Sequence, residues 1–181
     1  MKISTSELLD ELKNRTKQHL EFAEMLSSKT EHDLNFRTSA DSWSTLECLE
    51  HLNRYGNFYI PEINRTISSA KKSSQLYFKP GILGNYFAKS MLPKEKLNTM
   101  KTLKPMNPIH SNLDKRVVET FIKQQQKMLE LLEEAQYIDL EKTKTSISIS
   151  KLIKLKLGDT FRFVIYHNQR HVEQIKRILT D

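Results

Sequence analysis

Four stretches of the chain repeat apolar residues every three or four positions, which is the spacing of a helix with one buried face. They predict helices near residues 5–27, 44–70, 114–136 and 159–179. The inward positions of the first helix are Leu8, Leu12, Thr16, His19, Ala23 and Leu26. Those of the third are Val117, Phe121, Met128, Leu131 and Leu132, and glutamines 124–126 are expected on its solvated side. Four amphipathic helices of this length predict an all-α four-helix bundle.

The second helix has a sharp start and two covered faces. Ser44 and Glu47 have the spacing of a capping box, in which each side chain accepts a hydrogen bond from a backbone N–H at the helix end. One face is mainly aliphatic and consists of Leu46, Leu49, Asn53, Gly56, Ile60, Ile63 and Ile67. A different face carries Glu47, His51, Tyr55, Phe58 and Glu62. Coverage on two sides is typical of a helix inside a bundle.

A long connection separates the second and third helices. Prolines divide residues 73–113 into turns, and only Ile82–Leu92 is predicted as a short helix within them. Crossover connections between the halves of a bundle reach this length. Further along, Thr143–Leu157 alternates in part and is interpreted as a short strand or an extended packing segment. Asp159 or Thr160 is expected to cap the fourth helix, and Phe36 to pack back onto the core.

The net charge of +7 comes from one part of the chain. Eight lysines and a single acidic residue, Glu95, lie between Lys71 and Lys104, and the remainder of the sequence is neutral. Clustered lysines attract polyanions, so a phosphate-contacting patch is one interpretation. The segment has no arginine and is interrupted by prolines. We therefore favour a solvated connection, and we expect no sequence-specific nucleic-acid partner.

Length and cysteine usage narrow the class of protein. A chain of 181 residues is expected to form a single domain, 1–181, with its own core. One cysteine, Cys48, excludes an internal disulfide and fits a reducing cytoplasm. The first residues lack the apolar run of a signal peptide, and no stretch is apolar enough to span a membrane. We expect a cytoplasmic protein without a membrane partner.

Two histidines of the fourth helix have the spacing of metal ligands. His167 and His171 are four residues apart, so both imidazoles project from the same helical face. Two histidines at this spacing can bind one metal ion from a rigid backbone. The glutamate of the HExxH zinc-protease motif is replaced by Asn168, which excludes that class. Taken alone, the pair is weak evidence, because such pairs also occur incidentally in helices.

The motifs WSTLECLEHL and YHNQRHVEQI, taken in this order and at this separation, resemble those of the DinB-like (YfiT-type) superfamily. The resemblance covers essentially the whole chain, including the long connection. It implies an up-down-down-up four-helix bundle with one metal ion held by His51, His167 and His171. Three neutral imidazoles suit Zn, Ni, Fe or Mn and leave coordination positions open. Side chains expected to orient the rings are Glu47, Tyr55, Asn168 and Gln174.

The resemblance also implies a reaction. Characterised relatives include metal-dependent thiol transferases, which join a low-molecular-weight thiol such as bacillithiol, mycothiol or glutathione to a small electrophile. Cys48 is expected in the core and not as a nucleophile. Two alternatives stay open, a non-catalytic metal-binding stress-associated protein and a metal-dependent hydrolase, for which Glu47 is the nearest candidate base. The assembly is left open between a monomer and a homodimer.

Overall fold

Helices make up most of the protein. The computed structural model describes residues 2–93 and 102–180. Its helices are α1 (Thr5–Ser27), α2 (Glu31–Asn35), α3 (Thr45–Ser69), α4 (Ile82–Met91), α5 (Arg116–Ala135) and α6 (Leu157–Ile178), with a 3-10 turn at Lys104–Met106. The strands are β1 (Ile3–Ser4), β2 (Tyr77–Phe78), β3 (Lys144–Ile147) and β4 (Ser150–Lys156). The prediction of an all-α fold is confirmed, and α1, α3, α5 and α6 are its four long helices.

The four long helices form a ring in which α1 packs against α5 and α6, and α3 packs against the same two. Their directions follow from pairs of bonded residues. Helices α1 and α5 are antiparallel, as shown by the pairs Lys13–Glu133 and Ser27–Lys115. Helices α3 and α5 are parallel, as shown by Asn53–Val117 and Asn57–Gln124. Helices α1 and α6 are also parallel, as shown by Glu11–Tyr166 and His19–Gln169. The bundle is therefore up-down-down-up, as the resemblance implies.

The start of α3 is built as predicted. The Glu47 backbone N–H donates to the Ser44 hydroxyl at 3.2 Å, and the Ser44 N–H donates to the Glu47 carboxylate at 2.8 Å. Two backbone N–H groups at the helix start are thereby satisfied within four residues of sequence. This local arrangement fixes where α3 begins, and hence the height of His51 in the bundle.

The predicted cap of α6 is wrong. The helix begins at Leu157, two residues earlier than expected, and neither Asp159 nor Thr160 caps it. Asp159 instead accepts a hydrogen bond from the Gly81 N–H at 2.7 Å and pairs with Arg162 at 3.0 Å. Because these partners lie inside the fold, the short polar side chain joins α4 to α6 rather than closing a helix end.

A polar layer divides the core of the bundle into two apolar clusters. One cluster includes Leu12, Tyr59, Leu131 and Phe161, and the other includes Leu26, Leu49, Phe121 and Ile175. The buried residues at the height between them include the polar side chains of Thr16, His19, Asn53, Gln125 and Asn168. The three candidate histidines belong to the same layer, so buried polar side chains are concentrated in the middle of the bundle.

Of the glutamines expected in solvent, Gln125 lies inside the bundle and Gln124 is half-buried. Gln125 is only 2% exposed and accepts a hydrogen bond from Asn168. Gln124 reaches the Asn53 carbonyl across Gly56, where an added Cβ would lie 2.0 Å from the Gln124 oxygen. The prediction is wrong for these two residues because a polar layer accepts amide side chains on a helix face that otherwise packs.

The connections also differ in part from expectation. Residues 143–157 contain an antiparallel hairpin of β3 and β4, which settles the alternative left open for them. The short helix expected at Ile82–Leu92 is present as α4. Phe36 is 50% exposed, so its predicted return to the core is wrong, and the adjacent Leu34 is buried instead. Among residues 2–93 and 102–180, no helix is long and apolar enough to cross a membrane.

The lysine-rich stretch is described only in part. Lys71, Lys72, Lys79, Lys89 and Lys104 are exposed. Lys94, Lys96, Lys101 and Glu95 lie outside the described residues. The prediction that this stretch reads no nucleic-acid sequence stays a prediction.

Candidate metal centre

Three histidine nitrogens converge in the polar layer. The Nε2 atom of His167 lies 3.2 Å from Nε2 of His51 and 3.1 Å from Nε2 of His171. Two nitrogens bound to one ion at tetrahedral angles are separated by about 3.3 Å, given ligand distances near 2.0–2.1 Å. His167 and His171 come from consecutive turns of α6, and His51 comes from the first half of α3. These two separations fit ligands of one ion, and all three nitrogens lie within 4.8 Å of one another.

Hydrogen bonds at the far side of two rings determine which nitrogen carries the proton. His51 Nδ1 lies 2.7 Å from the Met106 carbonyl oxygen, and His171 Nδ1 lies 2.9 Å from the Gln174 amide oxygen. Because both partners are acceptors, each Nδ1 donates, and each Nε2 is left with a bare lone pair. The Nε2 of His167 can donate a proton to only one of them. A cation among the three nitrogens satisfies all of these lone pairs together.

Burial keeps the three rings neutral. It lowers the pKa of His51 to about 4 and that of His171 to about 3, and it lowers the pKa of His167 well below its ordinary value. The neighbouring histidines lower the pKa of His167 further, whereas the hydrogen bond to Met106 partly opposes the effect on His51. At neutral pH the cluster therefore offers uncharged imidazoles, which is the form that binds a metal ion.

Aromatic rings surround the histidines. Trp43 lies 4.8 Å from His51 and 5.8 Å from His171 between ring centroids. Tyr55 contacts His167 edge-on at 4.8 Å, and Phe163 stacks on the same ring at 6.0 Å. These three aromatic residues are half-buried, whereas the histidines are 3–8% exposed. The cluster thus lies under an apolar rim that limits its contact with water.

The residues expected to orient the rings divide into two groups. Gln174 binds His171, and Tyr55 packs against His51 and His167, as expected. Glu47 and Asn168 do not bind any of the three cluster histidines. Asn168 donates to Gln125, and the Glu47 oxygens accept from Arg37, the Ser44 N–H and the His110 N–H. Their predicted roles beside the rings are therefore wrong.

Sequence reasoning missed the Met106 carbonyl. It is a backbone acceptor, and it lies 55 residues from His51 in the chain. Neither its residue type nor its spacing distinguishes it, so no pattern in the sequence could have identified it.

The remaining histidines and the cysteine lie outside the cluster. His19 is buried and bonds Gln169 at 3.0 Å, as expected of a packed histidine. His32 is exposed, and His110 bonds Arg37. Cys48 is fully buried, and burial raises the pKa of its thiol. A buried thiol with a raised pKa is a poor nucleophile, which agrees with a core role for Cys48.

Fold and site together define a class: a four-helix bundle whose buried histidines from two helices can hold a metal ion. The family model for the DinB superfamily matches residues 8–175, nearly the whole chain. The protein therefore belongs to the DinB superfamily. A search of curated proteins and a search of solved structures each gave no match.

Proposed function

We propose that the protein binds one divalent metal ion through His51, His167 and His171 and acts as a thiol transferase. The ion is Zn, Ni, Fe or Mn, since neutral imidazoles suit all four. The substrates are a low-molecular-weight thiol and a small electrophile. The observation that carries the proposal is the convergence of three Nε2 atoms, two of which are left unprotonated by their Nδ1 bonds.

The donor set supports a catalytic centre more than a structural one. Structural zinc sites are closed by four protein ligands, whereas three histidines leave coordination positions open. Among the described residues, the group close enough to share an ion contains these three histidines and no carboxylate. When bound, a divalent ion of this kind favours thiolate over thiol at neutral pH.

The surrounding side chains support transfer to an apolar electrophile. Trp43, Tyr55 and Phe163 offer ring faces and edges for packing, and they exclude water from the reacting atoms. In the transfer, a carbon–sulfur bond forms, the thiol proton passes to solvent, and the leaving group departs with its bonding electrons. Cys48 takes no part, because it is buried in the core.

The state of Glu47 argues against the hydrolase alternative. Hydrolysis requires a general base beside the reacting water. Burial opposes ionisation of Glu47, but hydrogen bonds from Arg37, Ser44 and His110 outweigh it and lower the pKa of the carboxyl group. Both oxygens are already occupied by these donors. A carboxylate so engaged is a weak base, which leaves transfer as the better-supported reaction.

The proposal is tested by metal analysis followed by a thiol-consumption assay. Protein purified without chelating resin is expected to contain about one equivalent of a divalent metal. Metal-loaded wild type and His167→Ala are then given a model electrophile with bacillithiol, mycothiol or glutathione in turn. Metal-dependent consumption that is lost in His167→Ala supports a transferase. Bound metal without consumption would support a non-catalytic metal-binding protein, and consumption that survives in His167→Ala would end the proposal.

A further inference from the structure

Three consecutive carbonyl groups at the end of the long connection accept hydrogen bonds from one side of α3. We call this part of the connection the 104–110 segment. The Met106 carbonyl accepts from His51, and the carbonyls on either side, Pro105 and Asn107, both accept from Arg54 Nη1 at 3.1 Å. His51 and Arg54 are three residues apart on α3, so their side chains reach the segment next to each other.

Arg54 is itself oriented for this contact. Its Nε donates to the Glu50 carboxylate at 2.9 Å, one turn earlier on α3. The guanidinium plane is thereby held from one edge while Nη1 binds both carbonyls from the other. A flexible ammonium group would not impose the same plane.

The far end of the 104–110 segment is anchored to the start of α3. The His110 N–H donates to Glu47, a carboxylate with no exposed surface. His110 has φ of 61°, the one positive value among non-glycine residues in the described part of the chain. Such a conformation is strained in a non-glycine residue and persists only where surrounding contacts impose it. The segment is thus held against α3 by Glu47 and Arg54, and the Trp43 indole N–H also donates to the Asn107 side chain at 3.2 Å.

The two ring-orienting contacts of the cluster differ in origin. His171 takes its Nδ1 partner from Gln174 on its own helix, so α6 alone supplies it. His51 takes its partner from the 104–110 segment, which belongs to another part of the chain. The orientation of His51 therefore depends on how firmly that segment is held. Arg54 donates hydrogen bonds to the two carbonyls that flank the acceptor.

We propose that Arg54 is a positioning residue for the metal centre. By fixing the Pro105 and Asn107 carbonyls, it holds the Met106 carbonyl where it accepts the His51 Nδ1 proton, and it thereby keeps the His51 Nε2 lone pair directed into the cluster. This inference rests on the proposed metal site. Without Arg54, the acceptor moves, and His51 can carry its proton on Nε2, a tautomer that cannot bind an ion through that nitrogen. Loss of such outer contacts typically weakens metal binding by 10–100-fold.

The test compares Arg54→Met with wild type by competition for Zn²⁺ against a chromophoric chelator and by the visible spectrum of the Co²⁺-loaded protein. Arg54→Met is expected to bind Zn²⁺ at least about tenfold more weakly and to shift the Co²⁺ bands. Arg54→Gln, which keeps a polar group at this half-buried position, is measured beside it with the same expectation. The matched control is Arg65→Met, which removes an exposed arginine of the same helix that pairs with Glu62 and makes no contact with the 104–110 segment. Its Zn²⁺ affinity and spectrum are expected to equal those of wild type.

Separate outcomes overturn the inference and the metal site. Unchanged Zn²⁺ affinity and an unchanged Co²⁺ spectrum in both Arg54 variants would reject the role of Arg54 and leave the three-histidine site standing. Failure of wild type to bind Zn²⁺, or equal binding by His51→Ala, would reject the site and the inference with it. Thermal unfolding of the metal-free variants shows whether a loss of affinity reflects general destabilisation. Unfolding midpoints equal to that of Arg65→Met support positioning, and a loss of affinity that follows a large fall in the midpoint contradicts it.

Discussion

Asn168 of α6 donates a hydrogen bond of 3.1 Å to the Gln125 amide oxygen of α5, and both side chains are buried. These helices lie on opposite corners of the bundle, so the bond crosses its centre. It lies beside His167, the middle ligand of the proposed site. The bond thus holds together the polar layer from which the candidate metal centre is built.

Removal of Asn168 is expected to destabilise the protein by about 1–3 kcal/mol, because Gln125 would keep a buried amide without its partner. The measurement is urea unfolding of metal-free Asn168→Ala. Replacement of both partners, as in Asn168→Leu with Gln125→Leu, is expected to recover part of that loss, since no orphan polar group then remains. A double variant less stable than the sum of the two single changes would contradict this account.

Each of the three cluster histidines is expected to be essential for tight metal binding. Substitution of His51, His167 or His171 by alanine should lower the Zn²⁺ affinity by orders of magnitude, because two imidazoles retain little chelation. His32→Ala is the control, since His32 is exposed and is not one of the clustered histidines. The measurement is chelator competition at fixed pH. Wild-type affinity in any one of the three cluster variants would exclude that residue as a ligand.

Acid is expected to destabilise the metal-free protein in part through His19. Burial lowers the pKa of His19 to about 4, whereas in the unfolded chain it is about 6.5. Between these pH values the unfolded chain binds a proton that the folded protein does not. The free energy of unfolding therefore falls as pH decreases from about 6.5 to 4, by up to about 3 kcal/mol from this residue.

Comparison with His19→Met isolates that contribution, because the other histidines remain in both proteins. Urea unfolding is measured for each at pH 7 and at pH 4.5 with a chelator present. The variant is expected to lose less stability on acidification than wild type. Equal losses in the two proteins would show that His19 does not carry the effect.

The lysine-rich stretch from Lys71 to Lys104 is expected to bind duplex DNA only weakly and without regard to sequence. Exposed lysines attract phosphate, but in the described part of this stretch the helix, α4, carries one lysine, Lys89, and no arginine to read base edges. Affinity for unrelated duplexes, measured by fluorescence anisotropy, should be similar and should vanish between low and physiological salt. Tight binding to one sequence at physiological salt would refute this expectation.

Features set by neighbouring residues were predictable from the sequence. The Ser44–Glu47 capping box closes within one helical turn, so its pattern specifies its structure. The helical periodicity likewise gave α1 at its observed bounds and the other three long helices within about two residues. The three histidines followed from the spacing of His167 and His171 together with the family resemblance.

Features set by distant contacts were not predictable in the same way. Asp159 is of a residue type that often caps helices, but in the folded chain its carboxylate accepts hydrogen bonds from the Gly81 N–H and from Arg162 instead. Gln125 is of a residue type common at surfaces, but it is buried because Asn168 donates a hydrogen bond to it inside the bundle. Such pairings depend on which helices become neighbours, and no local pattern encodes that choice.

The position of α6 between α1 and α3, two helices that precede it in the sequence, has a consequence for synthesis of the protein. A ribosome releases His51 more than a hundred residues before it releases His167 and His171. Until α6 emerges and inserts between α1 and α3, the nascent chain holds one imidazole of the three, and each of those helices lacks a neighbour. The histidine cluster therefore cannot be completed before α6 has emerged to fill its place between α1 and α3.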